Sequence, residues 1–151
     1  MTADPDPAAP PRIDDLLCFS IYSAGLAFNQ LYRPLLEEIG LTYPQFLVMV
    51  ALWQRDGCPV KELGEALYLD SSTLTPLLKR LEAAGLISRT RNPRDERQVL
   101  LAVTEAGNGL RGKAVAVSCA IVDAVGISAE AARALRTGLD GIRDRIHGQR
   151  D

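Results

Sequence analysis

One cysteine near the start of a predicted helix lies at helical spacing from several tyrosines. Tyr22 follows Cys18 by four residues and therefore shares its helix face. Tyr32 follows Cys18 by fourteen residues, which places it within about 40° of that face but about 21 Å further along the axis. Tyr43 begins the next predicted helix. A straight helix keeps Tyr32 away from the Cys18 of its own chain, whereas a second copy packed across a two-fold axis could bring the two side chains together.

The chemistry of this group depends on the surroundings of the thiol. A thiolate is a nucleophile, so an accessible cysteine can be oxidised. An isolated cysteine in an apolar helix more often fills the core. Cys18 by itself leaves both alternatives open.

The remaining cysteines and the histidine exclude other chemistries. The chain has three cysteines, with no Cys-x-x-Cys pair, and one histidine, His147, near its C-terminus. An odd, widely spaced set of cysteines is not a disulfide framework, and one terminal histidine argues against a metal site or a Ser-His-Asp triad. We therefore expect no catalytic residues, no metal and no cofactor. Cys119, midway along a later helix, is a candidate second thiol, and Cys58, in a Gly-Cys-Pro turn, is interpreted as structural.

Hydroxyl and basic side chains cluster in the middle of the chain. The whole sequence carries a net charge of −2, but the segment from Lys79 to Arg97 carries +3. Such clustering is typical of a phosphate-facing surface, although a solvated charged hairpin is the alternative. An arginine at the hairpin tip can enter the minor groove, and we expect Asp95 to hold the Arg97 guanidinium. The candidate DNA-binding residues are Ser71, Ser72, Thr73, Thr75, Lys79, Arg80, Arg94, Asp95 and Arg97.

The hydrophobic periodicity predicts the elements that position these residues. Residues 1–12 are predicted to be a disordered tail, and residues 13–40 a helix that ends at Gly40. The next helix has Pro44 in its first turn, and a short one spans Val60–Leu67. The polar-starting helix that follows is capped by Ser71 or Ser72. With Ser72 as the cap, Pro76 lies among the first four helical residues, where its missing N–H costs little.

The second half of the sequence predicts a hairpin and two more helices. The two strands are 86–91 and 98–103, joined by a turn over 92–96. The helices are predicted from Glu105 to about Ala124, with a start weakened by glycines, and from Ala129 to about Ile146, capped by Ser128. A short helix, a tight turn, a polar-starting helix and a basic hairpin together indicate a winged helix-turn-helix.

The predicted fold is thus mainly α-helical with a small β-hairpin, in one compact domain. The chain has 151 residues, of which 47% are hydrophobic, and this size suits a single domain. Residues 41–104 form the predicted winged helix-turn-helix. Helices in 13–40 and 105–148 are predicted to dimerise, because their apolar stripes exceed what one small domain can cover. No apolar run reaches the ~18 residues of a membrane span, and the start does not resemble a signal peptide, so we expect a cytoplasmic protein.

From about Asp14 to Gly148 the sequence resembles the MarR-type winged-helix regulators, and within them the OhrR branch of organic hydroperoxide sensors. The segments that carry the resemblance are Leu17–Ser23, Leu31–Leu36, Leu41–Gln45, Leu69–Glu82 and Asp95–Arg97. The recognition-helix and hairpin segments are typical of the superfamily, whereas the cysteine with its three tyrosines is specific to the branch.

The resemblance implies a function and a role for each site residue. Cys18 would be oxidised to a sulfenic acid by organic hydroperoxides. Tyr32 and Tyr43 of the other subunit would hydrogen-bond its thiolate, with Tyr22 in the same network. The reduced homodimer would bind a palindromic operator and repress transcription, and the oxidised dimer would release it. Cys119 of the partner would resolve the sulfenic acid as a disulfide, unless a small cellular thiol does so.

Two other functions remain open from the sequence. A MarR-type repressor could instead be released from DNA by an apolar small molecule. A thiol peroxidase would turn over at Cys18, with Arg12 and Ser20 as the only nearby candidates to position the peroxide, but that function leaves the DNA-binding pattern unexplained.

Overall fold

The computed structural model describes residues 10–149 of the chain. They fall into two compact units, divided between Val117 and Ser118. Of the predicted disordered tail, only residues 10–12 are described, and they belong to no helix or strand. The helices are α1 (Leu17–Glu37), α2 (Tyr43–Gln54), α3 (Val60–Leu67), α4 (Ser71–Ala83), α5 (Glu105–Gly109), α6 (Arg111–Val125) and α7 (Ala129–Gly148). The strands are β1 (Cys58–Pro59), β2 (Ile87–Asn92) and β3 (Asp95–Val103).

The first helix begins later than predicted. Residues Ile13–Asp15 form a separate 3-10 turn, and Leu16 has extended backbone angles before α1 starts. No side chain caps this start. Helix α2 is defined more strongly, because the Thr42 and Gln45 side chains form a reciprocal capping box and Pro44 lies in the first turn, as predicted.

Helix α4 is capped by a residue that the sequence prediction did not choose. Asp70, not Ser71 or Ser72, is the N-cap, and its carboxylate accepts a hydrogen bond from the Thr73 N–H. Pro76 is therefore the sixth helical residue rather than one of the first four, so its missing N–H removes an intrahelical donor. The apolar face of α4 is buried as its spacing predicts, through Leu74, Leu77, Leu78 and Leu81.

The sheet has three strands where the sequence predicts two. Strand β3 lies in the middle and pairs antiparallel with β2 and with the short β1, whose Cys58 is opposite Leu101. The hairpin turn is also tighter than predicted. Asn92 pairs with Asp95, so only Pro93 and Arg94 connect the strands, and an irregularity at Arg91 and Asn92 accommodates the turn.

The predicted fifth long helix is broken into α5 and α6 at Leu110. Within α5, glycine is required at position 107, because a Cβ there would overlap the Leu86 carbonyl oxygen. Ser128 caps α7 through the Ala131 N–H, as predicted. Within residues 10–149 no single helix is long and apolar enough to cross a membrane, and only Glu105–Val125 and Ala129–Gly148 taken together as a bent pair pass that test.

Candidate thiol site and nucleic-acid interface

Cys18 lies at the exposed start of α1. It is the second helical residue, and its thiol is free and solvent-exposed. Tyr22, one turn further on, is 63% exposed. Backbone N–H groups in the first turn of a helix point along the axis toward solvent and favour negative charge nearby. The position is therefore compatible with a reactive thiol and excludes core filling within this chain.

Tyr32 and Tyr43 lie together, as a functional pair would require. Their ring centroids are 4.8 Å apart, and the Tyr32 ring also lies 5.7 Å from the buried Phe46. Burial raises the pKa of both phenols, and the neighbouring Tyr43 raises that of Tyr32 further. Both side chains thus keep their O–H donors at neutral pH.

The thiol lies at the start of α1, whereas the tyrosine pair lies near its other end, with Tyr32 on α1 and Tyr43 at the start of α2. Cys18 and Tyr32 lie in the same uninterrupted α1, about 21 Å apart along its axis. Within the described residues, no hydrogen bond joins the Cys18 thiol to a tyrosine of the same chain. The separation between Cys18 and Tyr32 that the sequence predicts is therefore present within this chain.

Charged groups precede the thiol in the 3-10 turn. The Arg12 guanidinium lies 3.8 Å from the Asp14 carboxylate and 4.0 Å from that of Asp15, and all three side chains are exposed. Exposed ion pairs of this kind contribute little, so these pairs do not fix the position of the Arg12 side chain.

The other two cysteines have contrasting surroundings. Cys58 is buried beside β3, and burial raises the pKa of its thiol, which agrees with its interpretation as structural. Cys119 is exposed on α6, in the second unit. Within residues 10–149, no group of three histidine, cysteine or acidic side chains could hold a metal ion.

The start of α4 presents hydroxyl groups to solvent. Ser71, Ser72 and Thr73 are exposed, and Thr75 is partly buried. The Ser72 hydroxyl donates to Asp70 over 2.6 Å, and the Thr73 N–H donates to the same oxygen. These hydrogen bonds, that of Ser72 first, lower the pKa of Asp70, which therefore remains ionised at the helix start.

Lys79 and Arg80 are exposed on α4, and Arg94 and Arg97 are exposed at the hairpin tip. Asp95 has a different partner from the one predicted. Its carboxylate accepts a hydrogen bond from the Arg97 backbone N–H over 3.1 Å, and no ion pair within residues 10–149 joins it to the Arg97 guanidinium. The short two-residue turn explains this, because it places the Asp95 side chain beside the following backbone. The Arg97 guanidinium is left for other partners.

Two residue pairs near this surface were not predicted from the sequence. Asp70 caps α4, and the only local signal was an aspartate directly before two serines. The guanidinium of Arg89 on β2 contacts Glu82 on α4, with two nitrogens 2.7 Å from one carboxylate oxygen. The sequence signal for this ion pair was an acidic residue before Gly85 and a basic residue after it.

A helix-turn-helix (α3 and α4) followed by an antiparallel hairpin with an arginine-bearing tip defines a winged-helix DNA-binding protein. The family model described as transcriptional regulator SarA/Rot matches residues 30–112. The chain belongs to the MarR/SarA-type family of winged-helix transcriptional regulators.

Two curated relatives are similar over almost the whole chain. The regulator TtmR of Methylorubrum extorquens is 46% identical over 93% of this chain and 72% of its own length. The organic hydroperoxide resistance transcriptional regulator of Bacillus subtilis is 40% identical over 90% of this chain and 92% of its own length. Both are named as transcriptional regulators.

The fold also matches solved structures of AbfR from Staphylococcus epidermidis. Reduced AbfR bound to DNA is 33% identical, with a TM-score of 0.73, over 86% of this chain and 90% of that chain. AbfR with a disulfide formed is 35% identical, with a TM-score of 0.64, over 83% of this chain and 88% of that chain. This chain is therefore a transcriptional regulator related to redox-sensing proteins, and its DNA-bound structural neighbour supports binding of double-stranded DNA.

Proposed function

We propose that this chain is a cytoplasmic transcriptional repressor that senses organic hydroperoxides through Cys18. The observation that carries the proposal is the exposed thiol at the start of α1, with the Tyr32 and Tyr43 pair at the other end. Each copy thus holds the two halves of a site that it cannot assemble alone. The names of the Bacillus relative and of the AbfR structures add independent support.

The partner that completes the site is a second copy of the chain. Helix α1 leaves large apolar side chains exposed, among them Leu17, Ile21, Leu26 and Phe28. Apolar side chains are also exposed on α6, at Val122, and on α7, at Leu135 and Leu139. Exposed apolar side chains that recur along a helix favour association, and a two-fold axis across α1 sets the Cys18 of one copy against the tyrosine pair of its partner.

The sensing reaction consumes one peroxide for each thiol. The Cys18 thiolate attacks the terminal oxygen of ROOH, the O–O bond breaks, and the alkoxide leaves as ROH after taking up a proton. Cys18 becomes a sulfenic acid. Phenol donors from the partner stabilise the thiolate before the attack, and the apolar side chains around Cys18 favour organic peroxides.

The sulfenic acid then condenses with a second thiol, releasing water and forming a disulfide. Cys119 of the partner subunit is one candidate, because it is exposed and free. A small cellular thiol is the other. Cys58 is buried and takes no part.

The DNA-binding half uses the exposed hydroxyl groups at the start of α4 in the major groove and the arginines of the hairpin tip at the minor groove. A dimer presents two such sets to a palindromic operator, with half-sites about one helical turn apart. A modest change in the spacing of the two α4 helices therefore weakens both contacts at once.

A gel-shift experiment tests the proposal on DNA from beside the protein's own gene. We expect an organic hydroperoxide to weaken binding of the native protein by about tenfold or more, and Cys18→Ser to remain bound. Hydrogen peroxide and Cys58→Ser serve as the matched controls. Equal oxidation of Cys18 by both peroxides would remove the selectivity claim.

Other outcomes identify the alternatives. Release of Cys18→Ser from DNA by an apolar small molecule would favour the effector-binding repressor. Repeated consumption of peroxide in the presence of a reductant would favour the peroxidase. On a non-reducing gel, a covalent dimer formed by Cys119→Ser would exclude Cys119 as the resolving thiol.

A further inference from the structure

The hairpin that carries the tip arginines is anchored to the core at its base, through Ile87 and Leu101, whereas its outer part has little attachment. Beyond Ile87, which is 2% exposed, the side chains of β2 lie at the surface or are only partly covered. The third strand, β1, pairs with β3 only at Leu100 and Leu101. The outer part of the hairpin is therefore two-stranded, and a two-stranded hairpin is marginally stable by itself.

One ion pair connects the base of this hairpin, at Arg89 of β2, to Glu82 of α4. The Arg89 Nε and Nη2 atoms both lie 2.7 Å from Glu82 Oε2, and the side chains are 30% and 39% exposed. Arg89 is opposite Leu101 in the sheet, and Glu82 is in the last turn of α4. Backbone hydrogen bonds also connect the end of α4 to the residues that precede β2. The Leu86 N–H donates to the Leu81 carbonyl oxygen, and the Gly85 N–H donates to the Glu82 carbonyl oxygen.

The pair also changes the role of one basic residue. Arg89 belongs to the cluster that gives the segment from Lys79 to Arg97 its positive charge, yet its guanidinium already has a carboxylate partner. The other five basic residues of the cluster make no ion pair within residues 10–149. Arg91, two residues further along the strand, is exposed and donates only to the Glu96 carbonyl.

We propose that Glu82 and Arg89 are positioning residues that hold the hairpin at a fixed angle to α4, so that major-groove and minor-groove contacts form together. Neither residue contacts DNA in this arrangement. The inference rests on the proposed DNA-binding face but not on Cys18 oxidation, so every measurement uses the reduced protein.

For Glu82→Gln, simple electrostatics and the positioning role predict opposite changes in DNA affinity. The substitution removes a negative charge from a surface that faces phosphates, so simple electrostatics predicts tighter DNA binding. Loss of the positioning pair predicts weaker binding instead, by roughly tenfold. The duplex is one selected by the wild-type protein from a random pool. Tighter or unchanged binding of Glu82→Gln would overturn the inference, whereas failure of the wild type to select DNA would overturn the proposed function.

Arg89→Gln and its matched control Arg91→Gln test whether Glu82 and Arg89 act as a pair. Arg89→Gln, and the double variant Glu82→Gln with Arg89→Gln, should lower affinity to the same extent as Glu82→Gln alone, because any one of these changes already breaks the pair. Arg91 is exposed on the same strand and outside the pair, so Arg91→Gln should add its own effect to that of Glu82→Gln. A double variant of Glu82 and Arg89 that binds distinctly more weakly than Glu82→Gln would overturn the inference.

Footprinting and a charge swap distinguish positioning from loss of folding. In Glu82→Gln, hydroxyl-radical protection of the minor groove should fall while major-groove protection of guanine N7 persists; equal loss of both would contradict positioning.

The double variant Glu82→Arg with Arg89→Glu restores opposite charges and should recover part of the lost affinity. No recovery in a folded swap variant, checked by thermal unfolding, would also overturn the inference.

Discussion

The two ends of helix α1 differ in almost every physical property. At its start Leu17 is 60% exposed, no side chain caps the helix, and the Cys18 thiol is in solvent. At its end Leu36 is 1% exposed, and Tyr32 packs against Tyr43. The end of α1 is thus fixed by the core of its own chain, whereas the start is exposed among the described residues.

In the proposed sensor, this difference would let one short chain hold both halves of a site that is complete only in a dimer. The tyrosines are positioned in advance by packing, because their rings contact one another and Phe46. In the proposed dimer, the partner would supply those rings to the exposed thiol, and oxidation there would alter the dimer without unfolding either core.

The largest effect should come from substitutions that contrast the two ends. Leu36→Ala removes a fully buried side chain and should lower the free energy of unfolding by about 2–5 kcal/mol. Leu26→Ala, on the exposed face, should change the stability of one chain by less than about 0.5 kcal/mol but weaken association. Urea unfolding at two protein concentrations measures both. A similar loss for the two variants, independent of concentration, would contradict the division of α1 into two environments.

A mixed-dimer experiment tests whether the site is shared between chains. A hydrogen bond to a charged group contributes about 1.5–3 kcal/mol, so Tyr32→Phe should slow Cys18 oxidation by roughly tenfold. A heterodimer of a Tyr32→Phe chain with a Cys18→Ser chain places its one Cys18 opposite an intact tyrosine. Its thiol should therefore react at nearly the native rate, as measured by trapping the sulfenic acid.

The matched heterodimer combines a native chain with a Cys18→Ser, Tyr32→Phe chain. Its one Cys18 is opposite the substituted position and should react slowly. The reverse pattern, with the first heterodimer slow and the second fast, would show that the tyrosine acts within its own chain.

The smallest effect concerns the pH dependence of the buried end. Burial raises the pKa of Tyr32 and Tyr43 above the ordinary value of 10.0, so the folded protein binds these protons more tightly than the unfolded chain does. The resulting stability is complete below pH 10 and is lost as the pH rises through the folded-state pKa. Urea unfolding between pH 8 and pH 11 should show this decline, and Tyr43→Phe should reduce its slope. An unchanged slope would mean that this phenol does not titrate differently on folding.

Much of this fold is predictable because its signals are local. Pro44 in the first turn of α2, Ser128 at the start of α7 and the apolar stripe of α4 all follow from neighbours within one or two turns. The weak helix start around Gly107 was also readable from glycine content. For the same reason, the spacing of Cys18 and Tyr32 along one helix was a sound prediction.

Sequence patterns alone determined most of the helices, the two hairpin strands and the distance that separates thiol from tyrosine, because a helix converts residue number directly into length and direction. They did not determine strand β1 or the break at Leu110. Contacts between distant residues were settled only when the chain was folded. Cys58 pairs with Leu101, Tyr32 meets Tyr43 across two helices, and Arg89 reaches Glu82 around a turn. The periodicity of a single helix or strand does not predict contacts between elements. Those contacts depend on how the elements pack, which is decided by burial of the whole core.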